Sequence, residues 1–150
     1  MRKTAVLLVL LLSGFFADAQ IQNPVKWSYT LKKVNATTYE VHITATIEKG
    51  WHLYSQTTPE GGPIPTTINF SKNPLVTLVG TAKEEGKLEQ RHEKLFGVDV
   101  KQFSNTVKFV QAIKVKAKVK TAVTGIVEFM VCNDSQCLPP TSNKFSLPIQ

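Results

Sequence analysis

From Val25 the chain alternates apolar and polar residues, with Val25, Trp27, Tyr29 and Leu31 on one parity. It turns near Asn35 and alternates again through Tyr39, Val41, Ile43, Ala45 and Ile47. A period of two is that of half-buried β-strands. Lys49-Gly50 marks a turn, and residues 51–54, Trp-His-Leu-Tyr, begin an aromatic-rich strand. It runs into a long loop at 55–65, where Pro59, Gly61, Gly62, Pro63 and Pro65 exclude regular structure. Residues 66–70 and 75–79 read as a strand pair joined by the turn formers Ser71, Lys72, Asn73 and Pro74. The polar, charged segment 81–94 reads as a loop or one short helical turn. Residues 95–103 are strand-like, and Ser104-Asn105 predicts a reversal into a strand over 106–116. The next strand spans 123–132. Phe145, Leu147 and Ile149 alternate in the last, which Pro148 assigns to a sheet edge. Short strands separated by turns predict an all-β fold, an immunoglobulin-like antiparallel β-sandwich, with a closed barrel or jelly roll as the alternative.

The N-terminus changes the picture by setting a compartment. Arg2 and Lys3 precede an apolar run over 5–16, and Ala17-Asp18-Ala19 has the small-x-small pattern of a signal-peptidase site. The expectation is a signal peptide at 1–19, cleavage after Ala19, and one exported, periplasmic, soluble domain over 20–150. No later run approaches the roughly 20 apolar residues of a spanning helix. The formal net charge is +7, and Lys114, Lys116, Lys118 and Lys120 alternate with Ile113, Val115, Ala117 and Val119. That is the pattern of a solvated strand face, and without a groove-reading motif or stacking aromatics it does not indicate nucleic acid.

The recognisable chemistry is a thiol pair. Both cysteines, Cys132 and Cys137, lie in VCNDSQCLPP at 131–140. The polar residues between them favour a tight reversal that brings the sulfurs within bonding distance, and an exported chain with two cysteines bridges them by default. A loop of about six residues gives only ~2 kcal/mol of chain-entropy stabilisation. A short, exposed bridge exchanges readily, yet short structural bridges in hairpins are common, so both readings stay open. Asp134 either disfavours thiolate formation beside it or only forms an Asx-turn. Met130, Cys132 and Cys137 offer soft ligands to Cu(I), but the spacing matches no zinc or haem motif. His42, His52 and His92 form no ligand pattern with the cysteines, and no metal or cofactor is expected.

VCNDSQCLPP, with GWHLYSQ at 50–56 and GGPIPT at 61–66, resembles the periplasmic N-terminal domain of the thiol:disulfide interchange protein DsbD, over nearly all of residues 20–150. The resemblance implies an immunoglobulin-like domain without a prosthetic group, whose Cys132/Cys137 pair takes electrons from a membrane thiol donor. It passes them to oxidised periplasmic thiol proteins, including disulfide isomerases and cytochrome c maturation factors, through mixed disulfides. It implies that Cys137 links to partners. A cap residue would cover the pair from 93–97, Phe96 or, aligned on Gly97, Leu95, with His52 and Tyr54 where the family has aromatic residues beside the cysteines. With the sequence ending at Gln150, the expected donor acts in trans. The rival reading is a non-catalytic immunoglobulin-like binding module with a structural hairpin disulfide, its partner contacting the loop at 55–65.

Overall fold

The computed structural model describes residues 22–116 and 120–150; the expected signal peptide, its cleavage site, Ala117, Lys118 and Val119 lie outside them. Among the described residues there are nine strands and no helix: β1 (Val25–Lys33), β2 (Thr38–Ile47), β3 (His52–Tyr54), β4 (Thr67–Phe70), β5 (Val76–Glu93), β6 (Val98–Val115), β7 (Thr121–Phe129), β8 (Val131–Cys132) and β9 (Thr141–Ile149). They form the expected immunoglobulin-like sandwich of two antiparallel sheets. The larger follows β1-β2-β6-β3-β8, with β5 along the other side of β6, and the smaller is β4-β7-β9.

The period-two pattern builds the core directly. Tyr39, Val41, Ile43, Ala45 and Ile47 of β2 are all buried, beside Val107, Phe109, Ile113 and Val115 of β6. Val123, Val127 and Phe129 of β7 meet them from the smaller sheet with Phe145 and Ile149 of β9. Burying each valine, isoleucine or phenylalanine among them stabilises the fold by about 1.5–3 kcal/mol. Aromatic pairs bridge the layers: Trp27 lies 5.0 Å from Phe129 and Tyr29 5.1 Å from Phe145. Lys114 and Lys116 are exposed, as a solvated face requires.

Four expectations are corrected. Residues 66–70 and 75–79 do not pair with each other. β4 pairs with β7 and β5 with β6. Alternation marks a strand without naming its partner, and Asn73, whose Nδ2 donates to Thr121 Oγ1 and Ala122 O, both at 2.9 Å, anchors a crossover between sheets. The segment 81–94 is not a loop or helical turn but mostly the second half of the 18-residue β5. Its charges suit an edge strand wet on much of both faces.

Ser104-Asn105 does not reverse the chain. β6 runs through it, bent at Asn105, whose φ of 66° asparagine tolerates better than most residues. There β6 exchanges β3, its neighbour at Gln102 and Phe103, for β2, its neighbour from Thr106 onward. The strand expected over 123–132 is broken at Met130: β7 stays in the smaller sheet and β8 crosses to pair with β3. This last break carries Cys132 into the larger sheet. Among the described residues β9 pairs only with β7, the edge position that Pro148 requires.

Candidate functional site

β8 sets His52 directly across from Cys132, and Leu53 across from Val131. Cross-strand partners share a face, so His52 and, two residues on, Tyr54 flank the sulfur while Leu53 points into the main core. After Cys132 the chain reverses. Asn133 Oδ1 accepts hydrogen bonds from the Ser135 and Gln136 amides at 2.9 and 2.8 Å, and the Asn133 amide donates to Gln136 O at 2.9 Å. The Asx-turn considered for Asp134 therefore belongs to Asn133. Leu138 N donates to Val131 O at 2.9 Å and closes the loop.

Cys132 and Cys137 are joined as a disulfide with Cα atoms 4.0 Å apart. Cys132 is fully buried, whereas Cys137 is half-buried. Tyr54 and Val100 pack with Cys132, and Val98, Met130 and Cys137 lie against that group.

On the β5 side stands Glu93, only 5% exposed. Its Oε2 accepts a hydrogen bond from Tyr54 Oη at 2.9 Å and lies 3.1 Å from His52 Nε2. A carboxylate only accepts, so His52 presents its proton there. The two rings meet edge to face at 5.6 Å. Burial dominates the electrostatics. It holds the His52 ring below its ordinary 6.5 despite the hydrogen bond and charge of Glu93, which favours the neutral imidazole. It pushes the Tyr54 phenol up, and Glu93 pushes the same way. For Glu93 burial acts upward too, but the hydrogen bonds from Tyr54, His52 and the Leu95 amide together outweigh it and leave the carboxyl below its ordinary 4.5. The result is a buried carboxylate held by the hydrogen bonds of its neighbours.

Outside this cluster, Arg91 reaches from β5 to Asp134 at 2.6 Å. The turn between β5 and β6 is closed by Phe96 and Gly97 amides on Glu93 O, with Gly97 at a φ of 68°. Leu95 and Phe96 stand on it 48% and 38% exposed. Phe96 borders Gly62, since a Cβ on that glycine would lie 3.6 Å from Phe96 Cβ. The loop at 55–65 is tied down by Glu84, which accepts from Ser55 Oγ and the Gln56 amide, both at 2.7 Å.

The structure thus gathers His52, Tyr54, Cys132 and Cys137, with Asp134 on the rim and Leu95 and Phe96 on the neighbouring turn. It also brings a histidine to the cysteines: donor atoms of His52, Glu93 and Cys132 lie within 4.8 Å of one another. No linear spacing shows this, because three strands distant in sequence supply them. Glu93 and Arg91 escaped notice because their segment reads as a polar loop. His42 and His92 are elsewhere, bonded to Glu40 and Asp99. Among the described residues no helix is long and apolar enough to cross a membrane.

Three solved structures share the fold. The N-terminal periplasmic domain of ScsB from Proteus mirabilis superposes with a TM-score of 0.62 at 15% identity, over 84% of this chain and 47% of that one. The chain therefore spans about half the length of that structure. The reduced N-terminal domain of DsbD from Neisseria meningitidis gives 0.53 at 16% identity, over 81% and 83% of the two chains. The DsbD N-terminal domain complexed with the PilB N-terminal domain, from the same organism, gives 0.51 at 15%, over 80% of each. No curated protein matches the sequence. The family model for the N-terminal region of thiol:disulfide interchange protein DsbD matches residues 19–149. With that match and its two cysteines joined at the rim of an immunoglobulin-like sandwich, the chain belongs to the family of DsbD N-terminal domains.

Proposed function

We propose that this protein is an exported, periplasmic electron carrier that reduces oxidised thiol proteins through Cys132 and Cys137. The observation that carries the reading is the unequal setting of the bridge: one sulfur belongs to a buried residue, the other to a half-buried residue in an exposed loop. A bridge closing so short a loop stabilises the fold by only ~2 kcal/mol, so stapling is a poor account of it.

In the reduced chain the Cys137 thiolate attacks a partner disulfide, forming a mixed disulfide and releasing one partner thiolate. Cys132 then attacks Cys137 Sγ, releasing the second partner thiol and restoring the bridge. Two electrons and two protons pass to the partner. A membrane thiol donor acting in trans returns them, and cytochrome c maturation factors and disulfide isomerases are candidate recipients. Leu95 or Phe96 is the candidate cover for the pair, and the Glu93 carboxylate beside Cys132 disfavours an idle thiolate there.

The test is trapping. Cys132→Ser leaves Cys137 to attack with nothing to resolve the link, so mixed disulfides with exported thiol proteins should accumulate; Cys137→Ser should trap few. The reduction potential should lie above about −300 mV. Absence of trapped adducts from either variant, with partner binding retained after both cysteines become serine, would favour the binding-module reading instead.

A further inference from the structure

His52, Glu93 and Cys132 are all buried, and their donor atoms, one nitrogen, one carboxylate oxygen and one sulfur, lie within 4.8 Å of one another. Cys137, tethered to Cys132 in the oxidised chain, stands outside that group of three; opening the bridge frees its sulfur to turn toward the ion as the fourth donor. Ligands at about 2.3 Å for sulfur and 2.0–2.2 Å for nitrogen and oxygen sit about 3–4 Å apart around a tetrahedral zinc. The 3.1 Å between His52 Nε2 and Glu93 Oε2 is a hydrogen bond that the ion replaces when it binds. A mixed sulfur, nitrogen and oxygen set suits a borderline divalent cation better than a soft monovalent one.

We propose that the reduced chain binds one Zn(II) through Cys132 Sγ, Cys137 Sγ, His52 Nε2 and the Glu93 carboxylate, and that oxidation of the pair removes the site. Reduction by a phosphine and water yields two thiols and the phosphine oxide. Zn(II) then displaces both thiol protons, and the His52 proton shifts from Nε2 to Nδ1 to free the ligating lone pair. An added disulfide oxidant such as oxidised glutathione takes the two electrons from the thiolates and two protons from water, becoming two thiols, while the Cys132–Cys137 S–S bond forms and Zn(II) leaves sulfurs now too poor as donors to hold it. The proposal shares with the exchange reading only the requirement that the bridge can be opened.

The test titrates zinc chloride into phosphine-reduced protein, with thiols counted by alkylation and mass, against a chromophoric chelator. One Zn(II) per reduced chain is expected, none per oxidised chain, and a loss of about tenfold or more in affinity for His52→Phe and for Glu93→Gln. Because both positions are buried, Co(II) replaces zinc in the unaltered reduced protein as a second measurement. Intense tetrahedral bands with sulfur-to-cobalt charge transfer are expected. Binding that neither variant weakens, a six-coordinate cobalt spectrum, or a bridge that the phosphine leaves closed overturns the proposal. Exchange with a partner disulfide is scored separately on metal-free protein, so a chain that exchanges but holds no zinc overturns this inference alone.

Discussion

Arg91, on the edge strand β5, holds Asp134, inside the cysteine loop, at 2.6 Å, and this ion pair ties that loop to the larger sheet. Both side chains are largely in water, 48% and 78% exposed, and exposed pairs contribute about 0–1 kcal/mol. Its effect is therefore local. Arg91→Ala should lower stability by no more than about 1 kcal/mol in urea unfolding, while amide exchange at residues 133–136 quickens. A loss well above 1 kcal/mol would mean that Arg91 does something other than hold the loop.

Glu93 behaves oppositely because it is buried. Glu93→Ala leaves the Tyr54 hydroxyl and the His52 Nε2 proton without their acceptor, and each unpaired buried group costs about 1–3 kcal/mol. Glu93→Gln keeps an acceptor oxygen and should lose clearly less. Urea unfolding of the oxidised variants checks this, and equal losses for the two would show that the hydrogen bonds to Oε2 carry little of the stability.

The sandwich was legible where one face of a strand is buried and the other wet, as in β2, whose five alternate apolar residues are the core. It was not legible in β5, whose largely exposed faces erase the alternation, nor at Asn105, where a residue that commonly turns a chain only bends it. The cysteine pair was visible as a motif because its residues are contiguous. Glu93 was not, since a carboxylate near the end of a charged segment looks solvated until β3 and β8 are laid beside it.

Gly125, central in β7, tests the packing independently of the site. A Cβ there would come 2.5 Å from Phe145 Cζ and 2.7 Å from Asn69 O. The ring has some freedom to move, but the backbone oxygen is fixed by the β4–β7 pairing. Gly125→Ala should cost about 1–3 kcal/mol, the usual penalty of overpacking. Thiol–disulfide exchange by the folded fraction should be unchanged, and a parallel loss of exchange would tie the site to the smaller sheet in a way its geometry does not.

Acid should lower the stability of the oxidised protein in two stages. His52 is held below its ordinary 6.5 in the fold; between that value and the lower folded one, the unfolded chain binds the extra proton, so stability falls as pH drops below about 6.5. Once the folded ring can also be protonated, its contribution levels off. Glu93, held below its ordinary 4.5, adds stability that is fully present above that pH and is lost as pH falls through the folded value. Each group contributes a slope of at most about 1.4 kcal/mol per pH unit. Urea unfolding at pH 8, 6, 5 and 4 should show the first decline before carboxylates titrate, and His52→Phe should flatten it while leaving the decline below pH 4.5. A stability unchanged from pH 8 to 5 in the unaltered protein would mean that the buried imidazole takes up its proton inside the fold, with Glu93 outweighing burial rather than yielding to it.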